Sequence, residues 1–251
     1  MAWVLDLDGV VWLGSEPIPG ASEAVARLRT LGHEVLFVTN ASFRPVSEVE
    51  AQLSDHGIDA TGRVLTSAVV AVDLVEPGER VLVAAGPGVA EELHRRGAVA
   101  VTEGDADAVM VGFHLDFTYD RMRAASLAVR NGARLIATND DATYPTTEGL
   151  WPGGGAILAS IERATGTDAL VAGKPYPPAV EHVHRLVGTE GTMVGDRPDT
   201  DGRFARALGY RFGLVLSGVT TQADLPVEPK PDVVAVDLAT LVDRTVGAAP
   251  A

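Results

Sequence analysis

Short apolar runs alternate with helix-patterned segments along nearly the whole chain, and this alternation limits the fold more than any other feature. Residues 2–7 (Ala-Trp-Val-Leu-Asp-Leu) form one such run, and Val35–Val38, Val81–Ala85, Ala108–Phe113, Arg134–Thr138, Ala169–Ala172, Thr192–Gly195 and Arg211–Leu216 form others. Runs this short and this apolar read as strands covered on both faces. Between them, Ala21, Val25, Leu28 and Leu31 recur at helical spacing. Further helices are expected near Tyr119–Asn131, Ala156–Thr165, Pro177–Val187 and Arg203–Leu208. Strand and helix in alternation predict an α/β fold, a parallel sheet with helices on both faces. The breaker cluster Glu76-Pro77-Gly78-Glu79 interrupts the series, and a second series starts behind it. Two domains are therefore expected, one from 1–77 with 172–251 and one inserted at 78–171. The Thr-, Pro- and Gly-rich stretch Asp140–Gly155 is expected to be a long loop with a functional role.

Charge and composition narrow the partners. The formal net charge is −14, which excludes a nucleic-acid partner, since such binding needs basic surface that displaces counterions. No apolar run approaches the roughly 20 residues that span a bilayer, and Asp6 and Asp8 interrupt the N-terminal run at once, so no membrane role is expected. Cysteine is absent, which rules out disulfide and thiolate chemistry. A cytoplasmic protein fits these features.

Four motifs carry chemistry, each where a strand is expected to end. Asp6 and Asp8 lie two apart in extended chain and so project to one side. They sit at the carboxyl end of the first strand, where parallel sheets bind ligands. Two close carboxylates repel unless a cation joins them or one holds a proton. Thr39 and Asn40 follow the second strand, where a hydroxyl, an amide and free N–H groups can bind phosphate oxygens. Lys174, one of only two lysines, precedes a proline-started helix and can neutralise a phosphate. Asp196 ends the strand Thr192–Gly195 and is followed by Asp199, Thr200 and Asp201; its carboxylate is a hard ligand suited to Mg²⁺. Taken singly, each motif has a plainer reading: an acidic strand end, a helix cap, a solvated lysine, an N-cap.

In this order the four resemble the haloacid dehalogenase superfamily, whose pattern runs D-x-D, then T or S, then K, then G-D-x-x-x-T/D-D. The long insert between Thr39 and Lys174 resembles the branch with an α/β cap between motifs two and three. That branch includes NagD-like, phosphoglycolate and pyridoxal phosphatases. Pro19-Gly20-Ala21, Leu65-Thr66-Ser67-Ala68, Ala137-Thr138-Asn139, Pro152-Gly153-Gly154-Gly155 and Leu216-Ser217-Gly218-Val219 extend the likeness from about residue 3 to 242. Two departures are Ala41, where the branch commonly has a second asparagine, and Tyr144, where pyridoxal phosphatases carry a histidine.

The resemblance implies a Rossmann-like core (1–77 and 172–251) with an inserted α/β cap (78–171), and a Mg²⁺-dependent phosphatase acting on a small phosphorylated metabolite. Sugar phosphates, nucleotide monophosphates, phosphoglycolate and glycerol phosphate are the substrate types it suggests. It implies Asp6 as nucleophile and Asp8 as general acid and base. Thr39, Asn40 and Lys174 would hold phosphate, Asp6, Asp8 (by its backbone carbonyl) and Asp196 would hold the metal, and Asp201 would stand behind them. Arg44, Tyr119 and Tyr144 take the cap's specificity positions, and a homodimer through the cap is compatible with it. A phosphomutase or phosphotransferase of the same superfamily is the alternative; a phospho-aspartate receiver, a different class, lacks the acid two residues after its nucleophile.

Overall fold

The computed structural model describes residues 1–146 and 149–247. It contains two compact units, one made of Met1–Thr39, Glu50–Leu65 and Lys174–Ala251, the other of Asn40–Val49 and Thr66–Gly173. The sequence-based boundary assigns 40–49 and 66–77 to the first domain, whereas their contacts group them with the second unit. Among the described residues no helix is long and apolar enough to cross a membrane.

The first unit is organised by a six-stranded sheet in the order Val233–Ala235, Arg211–Val215, Gly191–Gly195, Ala2–Leu5, Glu34–Thr39, Val64–Thr66. Ala2–Leu5 therefore lies inside the sheet, paired in parallel with Gly191–Gly195 and with Glu34–Thr39. All four of its residues are buried, as a strand covered on both faces must be. Trp3, Phe37, Phe204 and Phe212 are the bulkiest fully buried side chains of this core. The helix Ala21–Thr30 turns Ala21, Ala24, Val25 and Leu28 inward, three of them at the expected helical spacing, whereas Leu31 caps the helix and is exposed.

The second unit has a five-stranded sheet in the order Leu170–Val171, Arg134–Ala137, Ala108–Val111, Arg80–Ala84, Val99–Val101, every pair parallel. Its core joins Leu82, Val109 and Leu135 of the strands to Ala125 of the helix Tyr119–Arg130 and Leu158 and Ile161 of the helix Gly154–Thr165. The Gly86-Pro87-Gly88 turn opens the helix Pro87–Arg96, with proline in its first turn, where its missing N–H costs nothing.

The expectation for Asp140–Gly155 needs correction. Instead of a structureless loop, Thr143–Thr146 and Gly149–Pro152 form an antiparallel hairpin that sets Tyr144 opposite Trp151; residues 147 and 148 lie outside the described residues. Turn-forming residues dominate the composition and conceal an aromatic cross-strand pair, which is the unit that stabilises a hairpin. The three glycines that follow serve close packing. A Cβ on Gly153 would overlap the Asp141 carbonyl oxygen, and one on Gly155 the Asp140 carbonyl oxygen.

Candidate active site

The carboxyl ends of three neighbouring strands deliver the first set of candidate side chains. Leu5 is in register with Val194 on one side and Phe37 on the other. Asp6 thus follows at once, and Asp196 and Thr39 each stand two residues beyond those partners. The Asp6 backbone N–H continues the ladder to the Val194 carbonyl at 2.9 Å. Asp6, Thr39 and Asp196 are all buried.

Lys174 enters this cluster from the chain that returns to the first unit. It is only 2% exposed, and its Nζ donates to Asp6 Oδ1 and to Asp201 Oδ1, both at 2.7 Å. Burial alone would depress the ammonium, but the Asp201 and Asp6 carboxylates outweigh it and hold the lysine above its ordinary value. Asp6 is pushed well above the usual carboxylate range by burial, although Lys174 opposes this; Asp201, Asp196 and Asp8 add to it. Asp201 comes from a single π-helical turn, Pro198–Gly202, and its Oδ2 accepts the Arg197 backbone N–H at 3.1 Å. Gly195 has to be glycine here, since a Cβ would overlap the Asp201 carboxylate.

Asp196 is held differently. Its Oδ2 accepts the Val219 backbone N–H at 2.6 Å, while its Oδ1 is buried and has no hydrogen-bond partner. Burial, followed by the charge of Asp201, raises its pKa to about 7. Gly9 and Gly218 pack against this carboxylate so closely that a Cβ on either would overlap it. An orphan carboxylate oxygen in a buried site is costly, and a cation removes that cost. Asp6, Asp196 and Asp201 each bring a ligand atom within 4.8 Å of the others, so the residues present fit a hard divalent cation.

Asp8, two residues after Asp6, is half-buried, and its Oδ1 accepts the indole N–H of Trp12 at 3.1 Å. Neither Trp12 nor the Val219 N–H is evident from the motifs. The only sequence signals were the small residues of Leu216–Val219 and a tryptophan four positions after Asp8. Ser217 ties that segment to the first motif, its hydroxyl donating to the Gly9 carbonyl at 2.6 Å.

The remaining expected residues lie in the second unit. Asn40 donates its side-chain N–H to Asp141 Oδ2 at 3.0 Å. Its carbonyl accepts from Ser67 Oγ at 2.7 Å and Asn139 Nδ2 at 2.8 Å. Arg44, ahead of the helix Val46–Asp55, pairs with Glu48 in that helix's first turn. Tyr119, at the first position of its helix, is 72% exposed, and Tyr144 stacks on Phe113 with ring centroids 4.9 Å apart. In the first unit, His182 contacts Arg185 and His184 the Leu208 carbonyl.

Residues 3–99 match the haloacid dehalogenase-like hydrolase family, and residues 171–241 match a HAD-hydrolase-like family. The chain is 39% identical over 229 residues to D-glycerol 3-phosphate phosphatase of Mycobacterium tuberculosis, covering 88% of this chain and 64% of that protein. It thus spans less than two thirds of that relative. An acid sugar phosphatase of Staphylococcus aureus is 34% identical over 231 residues, 89% of each chain. A crystal structure of the glycerol phosphate phosphatase from Mycobacterium tuberculosis in complex with magnesium superposes with a TM-score of 0.87 at 38% identity, over 96% of this chain and 75% of that one.

Proposed function

The chain belongs to the haloacid dehalogenase-like hydrolases, in their NagD-like branch, and from that footing we propose a magnesium-dependent phosphatase that hydrolyses a small phosphate monoester through a phosphorylated Asp6. The observation that carries this reading is the buried contact of Lys174 Nζ with Asp6 and Asp201, beside an Asp196 oxygen that lacks a partner. Stability alone gives no reason to bury three carboxylates around one lysine.

In this reading a carboxylate oxygen of Asp6 attacks phosphorus as the ester oxygen departs. Asp8 gives its proton to that oxygen, and is then the base for the water that releases phosphate from Asp6. Lys174 orients Asp6 and balances phosphoryl charge, and Thr39 and the chain at Asn40 hold phosphoryl oxygens. Asp6, the Asp8 carbonyl and Asp196 would hold Mg²⁺, with Asp201 beside them; the ion supplies positive charge against the phosphoryl oxygens. Hydrolysis of phosphate monoesters is slow enough uncatalysed that accelerations reach about 10²¹, which no single group supplies. Turnover of p-nitrophenyl phosphate tests the reading. Activity is expected to vanish in EDTA and return with Mg²⁺, with little support from Ca²⁺, whose larger shell would misplace Asp6. Full activity in chelator would refute the metal site.

The second unit is read as the cap that selects the leaving group, for sugar phosphates, glycerol phosphate and their kind. Its hairpin residue Tyr144 offers a half-exposed ring braced by Phe113. Tyr144→Ala is expected to reorder natural phosphate esters by about tenfold, roughly 1.4 kcal/mol of differential binding. Acetyl phosphate, whose leaving group is too small to need the ring of Tyr144, should change much less. An equal fall on both substrate types would make Tyr144 a packing residue.

A further inference from the structure

Trp12 lies outside every motif, yet its side chain reaches the site. The chain after Asp8 curls back tightly: the Trp12 N–H donates to the Leu7 carbonyl at 3.2 Å, and the Trp12 carbonyl accepts from the Gly9 N–H at 2.7 Å. This brings the indole alongside Asp8, where Nε1 donates to Oδ1 at 3.1 Å. The ring itself is fixed. It is 4% exposed and packs against the His56 ring, centroids 6.0 Å apart.

An indole N–H can only donate, so the contact has one direction. The carboxyl oxygen that accepts it is the poorer place for a proton, because a proton there would face the N–H. We propose that Trp12 is the positioning residue of Asp8: by occupying Oδ1 it assigns the acidic proton to Oδ2 and fixes the carboxyl plane. This rests on Asp8 acting as the general acid. In the first half-reaction the proton on Asp8 Oδ2 passes to the ester oxygen. The P–O bond to the leaving group breaks as the bond from Asp6 to phosphorus forms, and Asp8 is left as a carboxylate. In the second half-reaction Asp8 takes a proton from the attacking water as its oxygen bonds to phosphorus, the Asp6–phosphorus bond breaks and inorganic phosphate leaves.

A purely structural tryptophan and a positioning one differ in how loss of the N–H depends on the leaving group. Phenyl phosphate and p-nitrophenyl phosphate have the same ring, but phenolate needs a proton to depart and nitrophenolate does not. Their kcat/KM values report the first half-reaction, and they are to be measured with Mg²⁺ on the full chain, Trp12→Phe and Asp8→Asn. For Trp12→Phe, kcat/KM on phenyl phosphate is expected to fall about tenfold and on p-nitrophenyl phosphate less than about twofold, a part of the 10²–10⁴ that general acid catalysis contributes. Asp8→Asn should show the same bias, larger. Equal losses on both esters in Trp12→Phe, or no loss on either, would overturn the proposal while Asp8→Asn keeps its bias. A bias absent from Asp8→Asn itself would instead remove the acid role on which the proposal rests. Should Trp12→Phe unfold, benzothienylalanine at position 12 replaces the N–H by sulfur within the same ring shape, and the same two ratios decide.

Discussion

Asp6→Asn is expected to lower phosphomonoester turnover by more than about 1000-fold, roughly 4 kcal/mol of transition-state stabilisation, and to leave the fold standing. The two halves of this result have separate causes. An amide is nearly isosteric with the carboxylate, so the strand end and its ladder to Val194 are kept, but it cannot form the phosphoryl intermediate. Losing one partner of a buried ion pair is normally strongly destabilising, because it strands the other charge. Here Lys174 still has Asp201 at 2.7 Å, and an amide oxygen can accept the hydrogen bond that Asp6 gave up. Asp6 is also held against the pull of burial and three neighbouring acids, so removing its charge relieves repulsion. Turnover of p-nitrophenyl phosphate and thermal unfolding, measured on the same preparation, check both. A variant that kept a tenth of the wild-type rate would end the assignment of Asp6 as nucleophile.

Asp196→Asn should separate stability from activity in the opposite sense. In the absence of a cation the Asp196 carboxyl titrates near 7 instead of 3.8, so its ionised form is disfavoured in the fold. A carboxyl raised in this way leaves the unfolded chain with fewer bound protons between those two values. Stability therefore falls as pH rises from about 4 to about 7, and the whole cost, on the order of a few kcal/mol, is present above it. Asparagine keeps an oxygen for the Val219 N–H and places an amide where Oδ1 now lacks a partner. At pH 8 in EDTA the variant should unfold at least about 3 °C higher than wild type. Mg²⁺ should raise the wild-type midpoint, as any ligand bound only by the native state does, and leave the variant's unchanged, with activity reduced by about 100-fold or more. Scanning fluorimetry with and without Mg²⁺ reads the first two effects. An Asp196→Asn protein that responded to Mg²⁺ like wild type would show that this carboxylate holds no metal.

Both predictions come from the same feature of the site, in which charge is concentrated beyond what stability favours and backbone is shaved to fit around it. Glycines at 9, 195 and 218 bring main chain against the Asp196 and Asp201 carboxylates, where any side chain would overlap them. Their substitution should therefore disturb the carboxylates before it disturbs the core.

Much of this protein is determined locally and was legible from the chain. Buried strands such as Ala2–Leu5 and Ala108–Val111 are continuous apolar runs, because a strand covered on both faces favours apolar side chains at every position. Asp6, Thr39, Lys174 and Asp196 could be singled out because chemistry at the carboxyl ends of parallel strands puts distinctive residue types immediately after such runs. Elements with weaker patterns were not anticipated. Val99–Val101 is a largely exposed edge strand of only three residues, too short to carry a pattern. The helix Val46–Asp55 and the final strand and helix, Val233–Ala235 and Leu238–Val246, are likewise elements that the sequence pattern does not predict. What only the tertiary structure decided are the pairings between distant residues. Periodicity reports which face of an element is apolar, and it says nothing about which residue 168 positions away will lie against it. Lys174 reads equally well as a solvated lysine ahead of a proline helix until Asp6 and Asp201 are seen on its Nζ. Asn40, expected at a phosphate by its place after Thr39, turns its amide to Asp141, 101 positions on. Trp12 becomes relevant to Asp8 only through the tight return of the chain after Gly9, whose positive φ is a property that residue types merely permit and where packing against Asp196 leaves no room for a side chain.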